Sequence, residues 1–406
     1  MTAASAHDLF AFLAKQIESF LKTHHNDHFE AHPRGKVSSV KQTLDLGFTF
    51  SFPVMQSGIN KGTLIRWTKG FDIEDAVGKD VCALLQNEID ALDLPVTVAA
   101  LVNDTVGTLM ARSYTSSEKR GALIGAIFGT GTNGAYVERL PRIKKMAELD
   151  AEAGSTLYDT STGLMIVNSE WGSFDNPMAV LPNTQYDQDV DRESVNPGIQ
   201  MFEKRVSGMF LGEILRRTIL ALYHHPESRV ALFRSCSSAD DDTVSATAVA
   251  DSSPLFQQWG IDTSILSTIE GDTSDGLPST KQVLEKDLAV LAPSTEDCAA
   301  VKTLVHAIGR RAARLAAATL AGVIISTNQL SEGEDTDAVV DIGVDGSLVE
   351  YYPGFEQMIR EAFREIPEVG VEREKRIRLG LAKDGSGLGA ALIALVASKG
   401  EVGGQP

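Results

Sequence analysis

Asn103 and Asp104 fall where one kind of pattern gives way to another. Val96-Thr97-Val98-Ala99-Ala100 reads as a buried strand, and Leu109-Met110-Ala111-Arg112 reads as helix. The pair therefore sits at the carboxyl end of a strand, the place where α/β sheets bind ligands. A carboxylate there can take a proton from a bound hydroxyl. The plainer use of an Asp before Thr-Val is to cap the helix. Three further stretches carry groups of similar use. Phe128-Gly129-Thr130-Gly131-Thr132-Asn133 joins two strand-like runs. Its glycines let backbone N–H groups approach an anion, and its threonines add hydroxyl donors. Gly385-Ser386-Gly387-Leu388-Gly389 opens a helix, whose free N–H groups and dipole favour a phosphate. Arg66-Trp67-Thr68-Lys69 sets hydrogen-bonding groups beside an apolar ring.

The elements that must position these groups follow from periodicity. Leu46, Phe48, Phe50 and Phe52 alternate with Gly47, Thr49 and Ser51, giving a strand with an aromatic face and a small polar face. Pro53 ends it, so Ser51 lies at its end, on the face open to a ligand or to solvent. Helical spacing recurs at Leu9, Phe10, Leu13, Ile17, Phe20 and Leu21, and again at Val81, Leu84, Leu85, Ile89 and Leu92. Ser5-Ala6-His7-Asp8 has the spacing of a capping box. Met201 to His224 and Val301 to Ser326 read as long helices. Ala338 to Val344 reads as a strand turning at Asp345-Gly346-Ser347, with a simple Asp-Gly hairpin as the rival. Arg376 to Leu381 reads as a further strand. Ser235 to Ser253 is polar, acidic and loop-like. His24, His25, His28 and His32 read as loop histidines rather than metal ligands.

Composition narrows the partners. The 406 residues carry a formal charge of -18 with no basic block, which excludes nucleic acid and anionic membrane surfaces as expected partners. Cys82, Cys236 and Cys298 are scattered, without zinc or disulfide spacing, as in a reducing compartment. The first residues lack the basic region of a signal peptide, and no apolar run is long enough to span a bilayer. A cytoplasmic protein of two domains is the expectation.

Taken together, five ordered motifs resemble the ATP-dependent hexokinases and glucokinases of eukaryotes, with the fungal glucokinase branch nearest. They are Leu46 to Phe71 (LGFTFSFP, a spacer, then GTLIRWTKGF), Val102 to Thr108, Phe128 to Asn133, Asn168 to Gly172 and Asn196 to Gly198. The resemblance implies an α/β chain of the two-domain sugar-kinase, actin-like ATPase (ribonuclease H-like) fold. It implies a small domain over 1–104 completed by the helix 385–399, and a large domain over 105–384. It implies phosphoryl transfer from ATP, with Mg2+, to the 6-hydroxyl of a hexose, glucose foremost. Asp104 would be the general base. Ser51, Thr68, Lys69, Asn103, Asn133, Glu170 and Glu203 would bind the sugar. Gly129, Thr130, Gly131, Gly343, Asp345, Gly346, Ser386 and Gly387 would bind the nucleotide. No metal ligand is assigned. Such residue types suit the task, because each sugar hydroxyl both donates and accepts, and a sugar lacking one leaves a buried group unpaired.

One part of the family pattern is not found. A strand leading to a D-x-G-G-T turn, the first phosphate loop, has no counterpart; at Asp45-Leu46-Gly47, Phe48 follows where Gly-Thr should. The small domain is thus expected to be truncated at its N-terminal side, with an open sheet edge and a thin core. A lost oxyanion donor costs about 3–4 kcal/mol of transition-state stabilisation. The alternative expectation is accordingly a hexose-binding or regulatory homologue with impaired catalysis.

Overall fold

The computed structural model describes residues 4–31, 43–68, 70–118, 121–153, 156, 158, 160–227, 230–234, 247–330 and 338–402. The chain forms two compact units, Met1–Gly125 with Ala382–Pro406, and Ala126–Leu381. Among the described residues, no helix is long and apolar enough to cross a membrane.

In the first unit, β1 (Leu44–Thr49) lies parallel to β4 (Val96–Val102), and β2 (Val54–Gly58) pairs with β3 (Lys61–Leu64) as a hairpin. The expected long strand from Leu46 to Phe52 is cut at Thr49, and its pairing is interrupted by a register shift between Leu46 and Gly47. Among the described residues β1 pairs with β4 alone. The helix Ala6–His24 starts at the expected Ser5 cap, which accepts the Asp8 N–H, while Asp8 takes the Ser5 hydroxyl rather than its backbone N–H. That helix includes His24, which is thus not in a loop, while His25 is its non-helical C-cap; His32 lies outside the described residues. Phe10, Ala14 and Leu21 from it pack with Leu85 and Ile89 of the helix Val81–Ala91 and with Val96, Val98 and Leu101 of β4. Each such large side chain, fully buried, contributes about 1.5–3 kcal/mol.

At Gly47 and Thr49 the small face of β1 is covered rather than left to solvent or a ligand. A Cβ on Gly47 would lie 2.2 Å from the Ala390 carbonyl oxygen, and the Thr49 hydroxyl donates to the Ser386 carbonyl at 3.4 Å. That face carries the C-terminal helix, Gly385–Val402. The same helix crosses the helix Asp104–Thr115 where Gly389 meets Gly107, a Cβ on Gly389 falling 1.9 Å from the Gly107 oxygen. Residues 105–125, which the sequence places with the large domain, fall in the first unit.

The second unit is built on a five-stranded sheet in the order β11-β10-β5-β6-β7: Ile377–Leu381, Val340–Asp345, Ile124–Phe128, Thr132–Arg139 and Leu164–Asn168. β10 and β11 run parallel; β6 and β7 run antiparallel. The predicted long helix from Met201 is two, Glu203–Val206 and Gly208–Tyr223, broken at the extended residue Ser207. The alanine-rich helix begins at Thr295, earlier than periodicity suggested, on a complete Ser294/Asp297 capping box. Its alanines at 312, 313, 316 and 317 are all fully buried, so small side chains let its neighbours approach closely. The polar stretch 235–246 lies outside the described residues. Its expected continuation to Ser253 is structured: β8 (Ala248–Val249) pairs with β9 (Val290–Leu291), and Ser253 is buried.

Candidate active site

In the first unit, β4 delivers Asn103 and Asp104 to the start of a helix, as the sequence predicts. The cap, however, is Asn103. Its backbone is extended (φ -70°, ψ 145°), and its Oδ1 accepts the Thr105 N–H at 3.0 Å and the Thr105 hydroxyl at 2.5 Å. Asp104 is the first helical residue, half-buried, with Oδ1 accepting the same Thr105 N–H at 2.8 Å. Its Oδ2 has no protein partner among the described residues, which leaves one carboxylate oxygen for a ligand. Ser51 is half-buried two residues past β1. Thr68 is half-buried in a turn, its carbonyl accepting the Phe71 N–H at 3.2 Å. Beside it, Phe50, Phe52, Trp67 and Phe71 form a run of ring contacts 4.8–6.0 Å apart, and Trp67 donates to the Ile73 carbonyl at 2.7 Å. Lys69 lies outside the described residues. Ser386 and Gly387 open the C-terminal helix, with free space where a Cβ on Gly387 would go.

In the second unit, the turn between β5 and β6 is closed by a hydrogen bond from the Gly129 N–H to the Gly131 carbonyl at 3.0 Å. Two loops converge on it. The Gly208 and Met209 N–H groups donate to the Gly129 and Thr130 carbonyls at 2.8 and 3.2 Å, so the helix Gly208–Tyr223 starts from this turn. That tether explains the break at Ser207, which helical periodicity does not reveal. From the other side, Gly346 follows β10 with φ 112°. The Asp-Gly hairpin does not form; the chain enters the short helix Ser347–Tyr351 instead. Gly343 stays inside β10, opposite Gly380, and Asp345 Oδ1 accepts the Gly346 N–H at 2.7 Å.

A cavity of about 550 Å3 opens beside this meeting of glycines. Thr130, Gly208, Thr263 and Ser347 supply small polar groups, and Trp259, Ile261, Leu348 and Tyr351 supply apolar wall. Hydroxyls and backbone amides at one place, with flat apolar wall elsewhere, fit a ligand with a phosphate end and an aromatic end. Gly129, Gly208 and Gly346 have the backbone approach such an end requires: a Cβ on Gly208 would lie 3.2 Å from the Gly129 oxygen. The sequence alone gives the segment 259–263 no role. Asp262 before Thr263-Ser264 is a legible cap, and it does accept the Ser264 N–H at 2.8 Å, but nothing local says that the segment faces a cavity. It is held by the helix beneath. Thr263 accepts the Gly212 N–H at 3.1 Å and donates to the Gly208 carbonyl, and the buried Glu213 accepts the Trp259 N–H at 2.8 Å.

The same turn leads into a second group of polar residues. Thr132 donates its N–H to Glu203 Oε2 at 2.9 Å, and its hydroxyl accepts the Trp171 indole at 3.0 Å. Glu203 is 6% exposed, so it is not a surface acid. The Trp171 ring lies where a Cβ on Gly134 would be, 2.3 Å away. Asn133 Nδ2 donates to Asn168 Oδ1 at 2.8 Å and to Glu170 Oε1 at 3.2 Å. Glu170 is held in the left-handed region (φ 50°, ψ 41°), which for a residue with a side chain costs about 1–3 kcal/mol. Such strain persists where the position of the side chain matters. Asn133, Glu170 and Glu203 are thus brought to one end of β6 and β7.

Two family profiles, both described as hexokinase, match this chain, one over residues 1–114 and one over 123–396. A glucokinase of Aspergillus niger is 60% identical over 405 residues, covering 99% of this chain and 79% of its own. Glucokinase-1 of Saccharomyces cerevisiae is 44% identical over 97% of this chain and 75% of its own. A solved hexokinase of Schistosoma mansoni, complexed with glucose, superposes with a TM-score of 0.73 at 32% identity, covering 97% of this chain and 76% of that one. By these matches and this fold, the chain belongs to the hexokinase family of phosphotransferase enzymes.

Proposed function

We propose that the chain transfers the terminal phosphoryl group of ATP to the 6-hydroxyl of a hexose, with glucose the preferred sugar. One observation carries the reading. The Gly129–Gly131 turn and the start of β6 are continuous, with Thr130 on the cavity and Asn133 in the amide–carboxylate group. A phosphoryl donor in the cavity and a polyol on Asn133, Glu170 and Glu203 would therefore be neighbours, which is the positioning on which phosphoryl transfer depends.

In this reading the nucleotide's phosphates lie against Gly129, Thr130, Gly131 and the Asp345-Gly346-Ser347 turn, its base lies along the wall at Trp259 and Tyr351, and Ser386 and Gly387 add contacts. Gly343, inside β10 just before that turn, is read as part of the same nucleotide site. Mg2+ arrives with the phosphates. Ser51, Thr68, Lys69 and Asn103 are the other sugar ligands of this reading. Asp104 accepts the proton of the attacking hydroxyl through its open Oδ2, and the oxygen then bonds to phosphorus as the bond to the leaving ADP oxygen breaks. Named relatives support the substrate choice, being a glucokinase and a hexokinase complexed with glucose.

Calorimetric titration with glucose, beside a coupled assay for ADP release, tests the reading. Glucose binding with glucose-dependent turnover is expected. Binding without turnover would leave a hexose-binding homologue, and no binding would remove the sugar altogether.

A further inference from the structure

β7 ends at Asn168, which the strand register sets opposite Ala135 of β6. Asn133, two residues back, shares a face with Ala135 and stands diagonal to Asn168, within reach of a side chain. Asn168 is used at both ends. Its Oδ1 accepts from Asn133 Nδ2 at 2.8 Å, and its Nδ2 donates to Glu170 Oε1 at 2.8 Å. Glu170 Oε1 thereby holds two donors, one from each amide. Glu170 Oε2 has none among the described residues. Asn133 Oδ1 faces its own chain, accepting the Gly134 N–H at 2.8 Å.

We propose that Asn168 is a positioning residue for the hexose. This rests on the reading of Asn133 and Glu170 as sugar ligands. By spending its donor on one oxygen of Glu170, Asn168 turns the other outward as an acceptor, so the site selects a hydroxyl that donates there. By spending its acceptor on Asn133, it fixes which way that amide points. A sugar with the corresponding hydroxyl inverted or absent leaves Glu170 Oε2, on an exposed residue, without that donor and should bind more weakly. A purely architectural residue at a strand end would need neither polarity.

The test compares Asn168→Ala and Asn168→Asp with the wild-type chain, by glucose calorimetry at pH 8 and pH 5.5 and by steady-state kinetics. Asn168→Ala removes both bonds, and glucose affinity should fall about tenfold at either pH, roughly the worth of one such hydrogen bond to a charged group. KM for glucose should rise while kcat stays within about threefold. Asn168→Asp places a second carboxylate against Glu170 Oε1; Glu203, through Thr132, is the other acid at this end of β6. Two carboxylates in contact raise the affinity of one for a proton. At pH 8 the Asp variant should bind worse than the Ala variant. At pH 5.5 the shared proton restores a donor to Glu170, and the ratio of the two dissociation constants should reverse. ADP titration checks the cavity, and it should not change. Wild-type affinity in Asn168→Ala, an Asp variant that tracks Ala at both pH values, or loss of ADP binding together with glucose binding would each overturn the role. If the wild-type chain binds no hexose, the functional reading fails first and this role fails with it.

Discussion

Gly346 passes so close to Gly129 that a methyl group on it would lie 2.7 Å from the Gly129 nitrogen and 2.6 Å from the Phe128 carbonyl carbon. Its φ of 112° is also one that side chains rarely adopt. Gly346→Ala therefore forces the turn after β10 away from the turn after β5. Overpacking of this kind costs about 1–3 kcal/mol, and the lost geometry is that of the proposed phosphate end. A lower denaturation midpoint and a loss of ADP binding of at least about tenfold, with glucose affinity nearly unchanged, is the expected pattern. ADP affinity equal to wild type would show that the meeting of these glycines serves packing alone.

Glu213 makes the corresponding prediction for the other end of the cavity. Its side chain is fully enclosed. Oε2 accepts from Arg216 Nε at 2.7 Å and from the Trp259 N–H at 2.8 Å; Oε1 accepts from Arg217 Nε at 2.9 Å and from the Arg216 guanidinium at 2.5 Å. Arg216 goes on to the Leu255 carbonyl at 2.8 Å, so the pair ties the segment 255–259 to the helix at two points. Glu213→Gln leaves the Arg216 guanidinium without its counter-charge, while Arg217 keeps its pairing with Glu193. Breaking a buried pair from one side costs about 3–5 kcal/mol. Urea denaturation should register that loss, and KM for ATP should rise through the released Trp259 while glucose affinity holds. An unchanged KM in a destabilised variant would mean that the wall keeps its place without the pair.

Asp187 gives a prediction in pH. Burial pushes its carboxyl up, but the forked contact with Arg311 (2.8 Å at both oxygens) and the bonds from Thr184 outweigh burial and hold it below the usual range. A carboxylate held low in the folded state contributes stability above its unfolded value, about 3.9, and loses it as pH falls through the lowered folded value. Unfolding free energy should thus decline below about pH 4 as this pair, with others such as Asp272 and Asp262, takes up protons. Asp187→Asn should lower stability at pH 7 by about 3–5 kcal/mol, and its acid limb should be shallower than the wild-type one. Parallel limbs would assign the acid sensitivity to other groups.

What could be read in advance follows the range of the interactions. The apolar run to Val102 and the glycine turn at 129–131 are set within a few residues, and each is where its pattern puts it; the alternation from Leu46 holds only as far as Thr49, and the Ser294 cap lies upstream of where helical spacing starts the helix. Errors arose where a distant segment decides. Ser207 breaks a helix because Gly208 donates to Gly129. The small face of β1 looks like a solvent or ligand face until the C-terminal helix arrives at Gly47. The cavity wall at 259–263 carries no local mark of its role, since Gly212 and Glu213 place it. At residues 103 and 104 the ambiguity was chemical: Asn and Asp both cap helices, and only the backbone angles assign the cap to Asn103.

That assignment bears on the last prediction, because a capping Asp104 would have been occupied. Instead Asn103 satisfies the Thr105 N–H and hydroxyl, and Asp104 shares the N–H through Oδ1 only. Asp104→Asn keeps an oxygen for that bond and a residue acceptable in the first turn, so the fold should be retained with a change of less than about 1 kcal/mol. The carboxylate's ability to take a proton is what goes. A general base is worth about 10²–10⁴-fold, so kcat should fall by that factor while glucose and ADP affinities stay within a few fold of wild type. Because the lost step is proton acceptance rather than binding, raising glucose should not recover the rate. A variant that turns over at the wild-type rate would remove Asp104 from the chemistry and send the search for the base to another side chain near the sugar.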